Sequence, residues 1–169
     1  MVSQLVEISR DIILDTIKAE IAAALAGIRT DRADQQVSTE PPRQYFIYDG
    51  AQTYQCPAVF AVVERANFPD EATGSNFVDA RVMVNVGIVA EDQDASKLVI
   101  KVERYQAALF QILHQRQLMN AAQNVKVWTR VTDIDFSPIF ARQQSQGMGQ
   151  FRKEAILKLE VQHFEDRAG

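Results

Sequence analysis

The stretch Val78–Leu113, VDARVMVNVGIVAEDQDASKLVIKVERYQAALFQIL, changes its hydrophobic period once, and that change sets the architecture. Val78, Ala80, Val82, Val84, Val86, Ile88 and Ala90 alternate with Asp79, Arg81, Asn85 and Glu91, the period of two of a strand with one buried side. Past Glu91 and Asp92 the spacing becomes four and three, through Leu98, Val102, Tyr105, Leu109 and Ile112. That is one stripe of a helix, which the periodicity carries to Leu118–Asn120. Asp94 or Ser96 is placed to cap it. The unit is scaffold.

Working outward, Ser3 to Ile28 reads as a helix with Leu5, Ile8 or Ser9, Ile12, Ile13, Ile17, Ile21, Leu25 and Ile28 on one side and Ser3 as its cap. A polar connector ending in Pro41 and Pro42 follows. The aromatic run Tyr45 to Tyr48, stopped by Asp49 and Gly50, predicts a hairpin into a strand from Ala58 to Glu64, with Pro57 at an edge or bulge. Ala66 to Asn76 is a loop by its Pro, Asp, Gly and Asn content. Beyond the second helix, Val125 to Phe136 and Phe151 to Phe164 alternate as strands, joined by an extended loop over residues 137–150. The expectation is one α+β domain over residues 1–169, with a mainly antiparallel sheet of about five strands and two helices packed on one face.

Composition narrows the function. In 169 residues, 47% hydrophobic and 24% charged, the net charge is -4, without the basic excess of a nucleic-acid binder. Charges at Asp15, Lys18 and Glu20 break the most apolar stretch, so no membrane span is expected, and Glu7, Arg10 and Asp11 disqualify a signal peptide. Residence in the cytoplasm is the expectation. Cys56, the one cysteine, reads as a small buried residue beside a strand.

Motifs that could carry chemistry fail on their spacing. Asp92, Asp94, Ser96 and Glu103 fall at calcium-loop positions, but Lys97 replaces the glycine at the sharp turn. His114 and His163 have no paired ligand spacing, and His163 reads as a surface residue near Glu165 and Asp166. Asp133 and Asp135 share a strand side with Val127 and Val131, as a solvated strand end would. Gly147, Met148 and Gly149 precede a strand, so no helix dipole holds a phosphate there. No catalytic, cofactor-binding or metal-ligating residue is assigned, and no cofactor is expected. Trp128, flanked by Lys126 and Arg130 on a polar strand face, is a candidate interface anchor. In the loop over 137–150, Ile139, Phe140 and Met148, with Gln143 and Gln144, could order against a neighbour.

The helix Ser3 to Ile28, the turn at Asp49 and Gly50, the unit Val78 to Leu113 and the closing strands together resemble, in order and length, the tail terminator proteins of long-tailed bacteriophages, also called neck or tail-completion proteins. The resemblance implies a structural virion protein, assembled in the host cytoplasm. It implies a homo-oligomer, a hexameric ring on the end of the tail tube that stops its growth and joins it to the head connector. The implied partners are the tail tube protein and the head–tail connector protein, with a sheath protein as a further candidate. Genome DNA would pass through the ring without specific binding. Another neck or baseplate component of similar fold, or a small cytoplasmic ligand-binding domain or enzyme using the polar sheet face, remain open alternatives.

Overall fold

The computed structural model describes residues 2–32, 37–47, 55–68, 77–120, 125–142 and 150–166. Helix α1 (Val2–Arg32) is followed by strands β1 (Gln44–Phe46), β2 (Ala58–Asn67) and β3 (Phe77–Asp92). Helix α2 (Ala95–Leu113) then leads to β4 (Arg116–Asn120), β5 (Val125–Phe136), β6 (Phe140–Arg142) and β7 (Gln150–Asp166). The class is α+β, as expected, but the sheet is larger than five strands and mixed. It has seven strands in the order β1-β2-β3-β7-β5-β4, with β6 paired to β7 beyond the end of β5.

The expected hairpin at Asp49 and Gly50 is corrected by the pairing. β1 runs parallel to β2, Gln44 opposite Ala58 and Phe46 opposite Phe60, and a parallel pair cannot be closed by a two-residue turn. Asp49 and Gly50 themselves lie outside the described residues. The remaining pairs are antiparallel, and β3 matches β7 without a break from Phe77 opposite Asp166 to Asp92 opposite Phe151. Part of the expected loop over 137–150 is also strand, since Phe140–Arg142 pairs with Gln150–Arg152.

Both helices cover one face of the sheet, and a single apolar core fills the space between. α2 lies over β3, β7 and β5, while α1 packs on α2 and reaches both β2 and β4. The sheet curls to allow this: Lys18 on α1 sits 5.4 Å from the Tyr45 ring on β1, and two residues on Glu20 pairs with Arg116 of β4 at 2.5 Å. The predicted stripe of α1 is the buried one, with Ile13, Ile17, Ile21 and Leu25 inside and Ser9 in place of Ile8. Ser9 is tolerated because its hydroxyl donates to the Leu5 carbonyl at 2.8 Å. Leu98, Tyr105, Leu109, Leu157 and Leu159 are fully buried, each side chain contributing about 1.5–3 kcal/mol of transfer free energy.

Helix ends depart from the sequence reading in instructive ways. α1 begins at Val2, ahead of Ser3, so Ser3 is helical and not at the flanking position of a cap. It runs on to Arg32, with Arg29 and Arg32 in the last turn, where a positive charge suits the dipole. Asp94 does cap α2, accepting from the backbone N–H of Ser96 at 2.8 Å and of Lys97 at 3.1 Å. α2 stops at Leu113 instead of Leu118–Asn120, because Gln115 takes a φ of 50° and the chain turns into β4. The hydroxyl of buried Thr129 on β5 donates to the Leu113 carbonyl at 2.6 Å, tying down the last turn.

Candidate functional site

The face of the sheet turned away from the helices is where the chain presents its polar and aromatic groups. Alternation puts Arg81, Met83, Asn85, Gly87, Val89 and Glu91 of β3 on this side. Register aligns Gln117, Trp128, Gln162 and Arg81 into one row across β4, β5, β7 and β3. A second row carries Arg130 opposite Glu160, an ion pair at 3.4 Å. Such exposed pairs are worth under about 1 kcal/mol, so they define charge pattern more than stability.

A β-bulge between Val131 and Asp133 changes which side chains reach this face. Sequence alternation kept Asp133 and Asp135 with Val127 and Val131; instead, Ile134 returns to the core side opposite Leu157. Asp133 and Asp135 turn outward to Lys158, at 3.5 and 2.9 Å. The hydrogen bond and charge of Asp135, with those of Asp133, hold the Lys158 ammonium above the ordinary lysine range. The two carboxylates are therefore parts of a charged surface stripe.

One end of the face is apolar. Ala58, Phe60 and Val89 are buried there, with Phe46, Cys56, Val62 and Ile156 packed around them. Gly87 makes this possible, because a Cβ at that position would lie 2.0 Å from the Phe60 ring. Cys56, expected to be buried, is half-buried at the margin of this small core. Nearby, a cleft of about 260 Å³ is lined by Glu40, Arg43, Glu91, Lys101, Tyr105 and Cys56. Its cations already face carboxylates: Arg43 with Glu40 at 2.8 Å, Lys101 with Asp92 at 2.6 Å. Arg152, beside it, donates to Glu91 at 2.8 Å. Burial, the carboxylate of Glu40 foremost among the nearby charges, raises the Tyr105 hydroxyl well above its usual range, and that hydroxyl donates to the Glu40 carbonyl at 2.5 Å. The Tyr105 bond fastens the segment before β1 to α2, while the Lys101 and Arg152 pairs tie α2 and β7 to the end of β3.

Of the residues singled out in the sequence, Trp128 and Arg130 stand on the outer face as expected, two positions apart on β5. Ile139 and Phe140 are exposed but sit at the far end of the same edge, away from Trp128. Gln143, Gln144 and Met148 lie outside the described residues. His163 is corrected: it is fully buried on the core side of β7, opposite Ala80 and Val127. His114 flanks the C-terminus of α2 and stacks on Phe110, with ring centres 4.3 Å apart. Sequence reading missed Met119 and Phe136, both exposed, the first because its strand was read as helix end. The alternation of Arg116, Gln117, Leu118, Met119 and Asn120, with only Leu118 buried, was the available signal. Among the described residues no three histidine, cysteine or acidic side chains gather as a metal site would need, and no helix is long and apolar enough to cross a membrane.

No protein-family model and no curated protein matches the chain. Among solved structures, it shows a weak likeness to a chain of the "Virion of native gene transfer agent (GTA) particle". The TM-score is 0.39 at 11% identity, over 88% of this chain and 95% of that one.

Proposed function

We propose that the chain is a structural virion protein of the phage-tail type, a tail terminator whose copies form a ring at the head-proximal end of the tail tube, end its growth and join the tail to the head connector. The hexamer, the tube, connector and sheath neighbours, and the unspecific passage of DNA follow from the resemblance in element order. What supports the reading in the molecule itself is the outer face. It combines exposed aromatic and apolar side chains with charges already satisfied by one another, which suits docking to protein surfaces. The reading assigns the chain no catalytic step; at the cleft of about 260 Å³, Arg43 and Lys101 are paired with Glu40 and Asp92. Imaging tails assembled with a labelled copy tests it. Label at the head-proximal tip is the expected result; label along the tube, at the baseplate end or nowhere on the particle overturns it.

A further inference from the structure

Strand β5 is paired with β7 on one flank from Lys126 to Phe136, but its other flank is covered only in part. Among the described residues, β4 pairs with it from Val125 to Thr129, and no strand pairs on that side from Arg130 to Phe136. The open edge is about 20 Å long, and such edges invite further strands because their N–H and C=O groups lack ladder partners. One bond fixes which groups face outward. Ser137 donates its N–H to the Glu154 carbonyl of β7 at 3.0 Å, and N–H groups alternate in direction along a strand, so Asp135 turns its N–H to β7 while Ile134 and Phe136 turn theirs to the edge. The Ile134 N–H is already engaged, donating to Asp133 Oδ1 at 2.9 Å. The bulge between Val131 and Asp133 brings that carboxylate into place, and the Thr132 hydroxyl pins the bulge by donating to the Lys158 carbonyl at 3.1 Å. Lys158 then holds the carboxylates of Asp133 and Asp135 at 3.5 and 2.9 Å.

We infer that Asp133 guards this edge against a second copy of the chain. A strand adding here needs the Ile134 N–H for its own carbonyl, and the carboxylate that holds that group is the stronger acceptor. Charge opposes the same pairing. With Ile134 opposite Ile134 in an antiparallel pair, Asp133 of one copy faces Asp135 of the other, and Lys158 alone between the two acids leaves each copy negative there. The bulge adds a local twist that a regular incoming strand does not match. The guard goes beyond the proposed ring: it concerns how free copies are kept from pairing through β5, whatever surface the ring uses.

Amide hydrogen exchange, read residue by residue in dilute wild-type protein and corrected for intrinsic rates, tests the cap directly. The Ile134 amide should exchange about tenfold more slowly than the Phe136 amide. Asp133→Ala should remove that difference and, in sedimentation velocity at matched concentration, tighten self-association by about tenfold or more. Asp133→Asn keeps an acceptor oxygen without the charge, so it should retain the slow Ile134 amide and associate more weakly than the alanine variant. As the alanine variant is concentrated, its Phe136 amide should slow, which locates the new contact on this edge. Thermal unfolding first establishes that the variants are folded; if the alanine variant is not, the wild-type exchange comparison decides. Equal exchange at Ile134 and Phe136 in the wild type overturns the guard. So does a folded alanine variant that associates no more than the wild type, or one whose association leaves the Phe136 amide unchanged.

Discussion

On the helix side of β3, Ala80, Val82, Val84, Val86, Ile88 and Ala90 are buried against two helices; on the other side, Arg81 is exposed and Met83, Asn85 and Glu91 are only partly covered. The same backbone carries both. One face is completed by the chain's own helices, and the other is completed only at one end, where Phe60 lies across Gly87. Under the proposed function, stability and recognition fall on opposite sides of one sheet, so substitutions on the two sides should separate into loss of fold and loss of association.

The sharpest break of that comparison is Leu159→Ala. Leu159 is fully buried on β7 under α2, and its removal should cost about 2–5 kcal/mol in chemical denaturation. A loss below about 1 kcal/mol would mean that the helix side does not carry the stability assigned to it. Gly87→Ala probes the one built part of the outer face. Its new Cβ would drive into the Phe60 ring, at an expected cost of about 1–3 kcal/mol. Adding Phe60→Leu should recover part of that cost, and strictly additive losses would show that the ring is not what the glycine accommodates.

Smaller effects come from charge. Burial pushes the Asp92 carboxyl up, but the hydrogen bond and charge of Lys101 and the backbone N–H groups of Asp94 and Gln93 together hold it below the usual carboxylate range. A carboxyl lowered in the folded state stabilises above its unfolded pKa, and that contribution is lost as pH falls through the folded value. The wild-type margin over Asp92→Asn should accordingly be present at neutral pH and close in acid. A margin unchanged across an acid titration of unfolding would refute the assignment. Trp128→Ser should do least to the fold, within about 0.5 kcal/mol by the same denaturation assay, while weakening association. A large stability loss there would place Trp128 in the core's service and remove the contrast between the faces.

Sequence periodicity alone determined a good deal. The core face of β3, the stripes of α1 and α2, the Asp94 cap and the bounds of β5 were legible, because each is written in local spacing or in side chains reaching their own backbone. What depended on distant partners was not. Asp49 and Gly50 suggest a hairpin, but β1 lies parallel to β2, since strand direction is decided by pairing energy over the whole sheet and not by a favourable dipeptide. β4 forms from residues expected to prolong α2 because Leu118 gains a place opposite Val127. The bulge at Val131/Asp133 is invisible to a period count, yet it moves Asp133 and Asp135 to the outer face and returns Ile134 to the core. His163 shows the same limit: its acidic neighbours in sequence suggested solvent, while the register of β7 places it between Ala80 and Val127. The candidate surface was half legible for the same reason, Trp128 and Arg130 by alternation on one strand, Met119 only once β4 had placed it beside β5. Local patterns reveal which side of an element is apolar; register, bulges and strand direction are collective outcomes of packing, and they decided which groups stand together on the outer face.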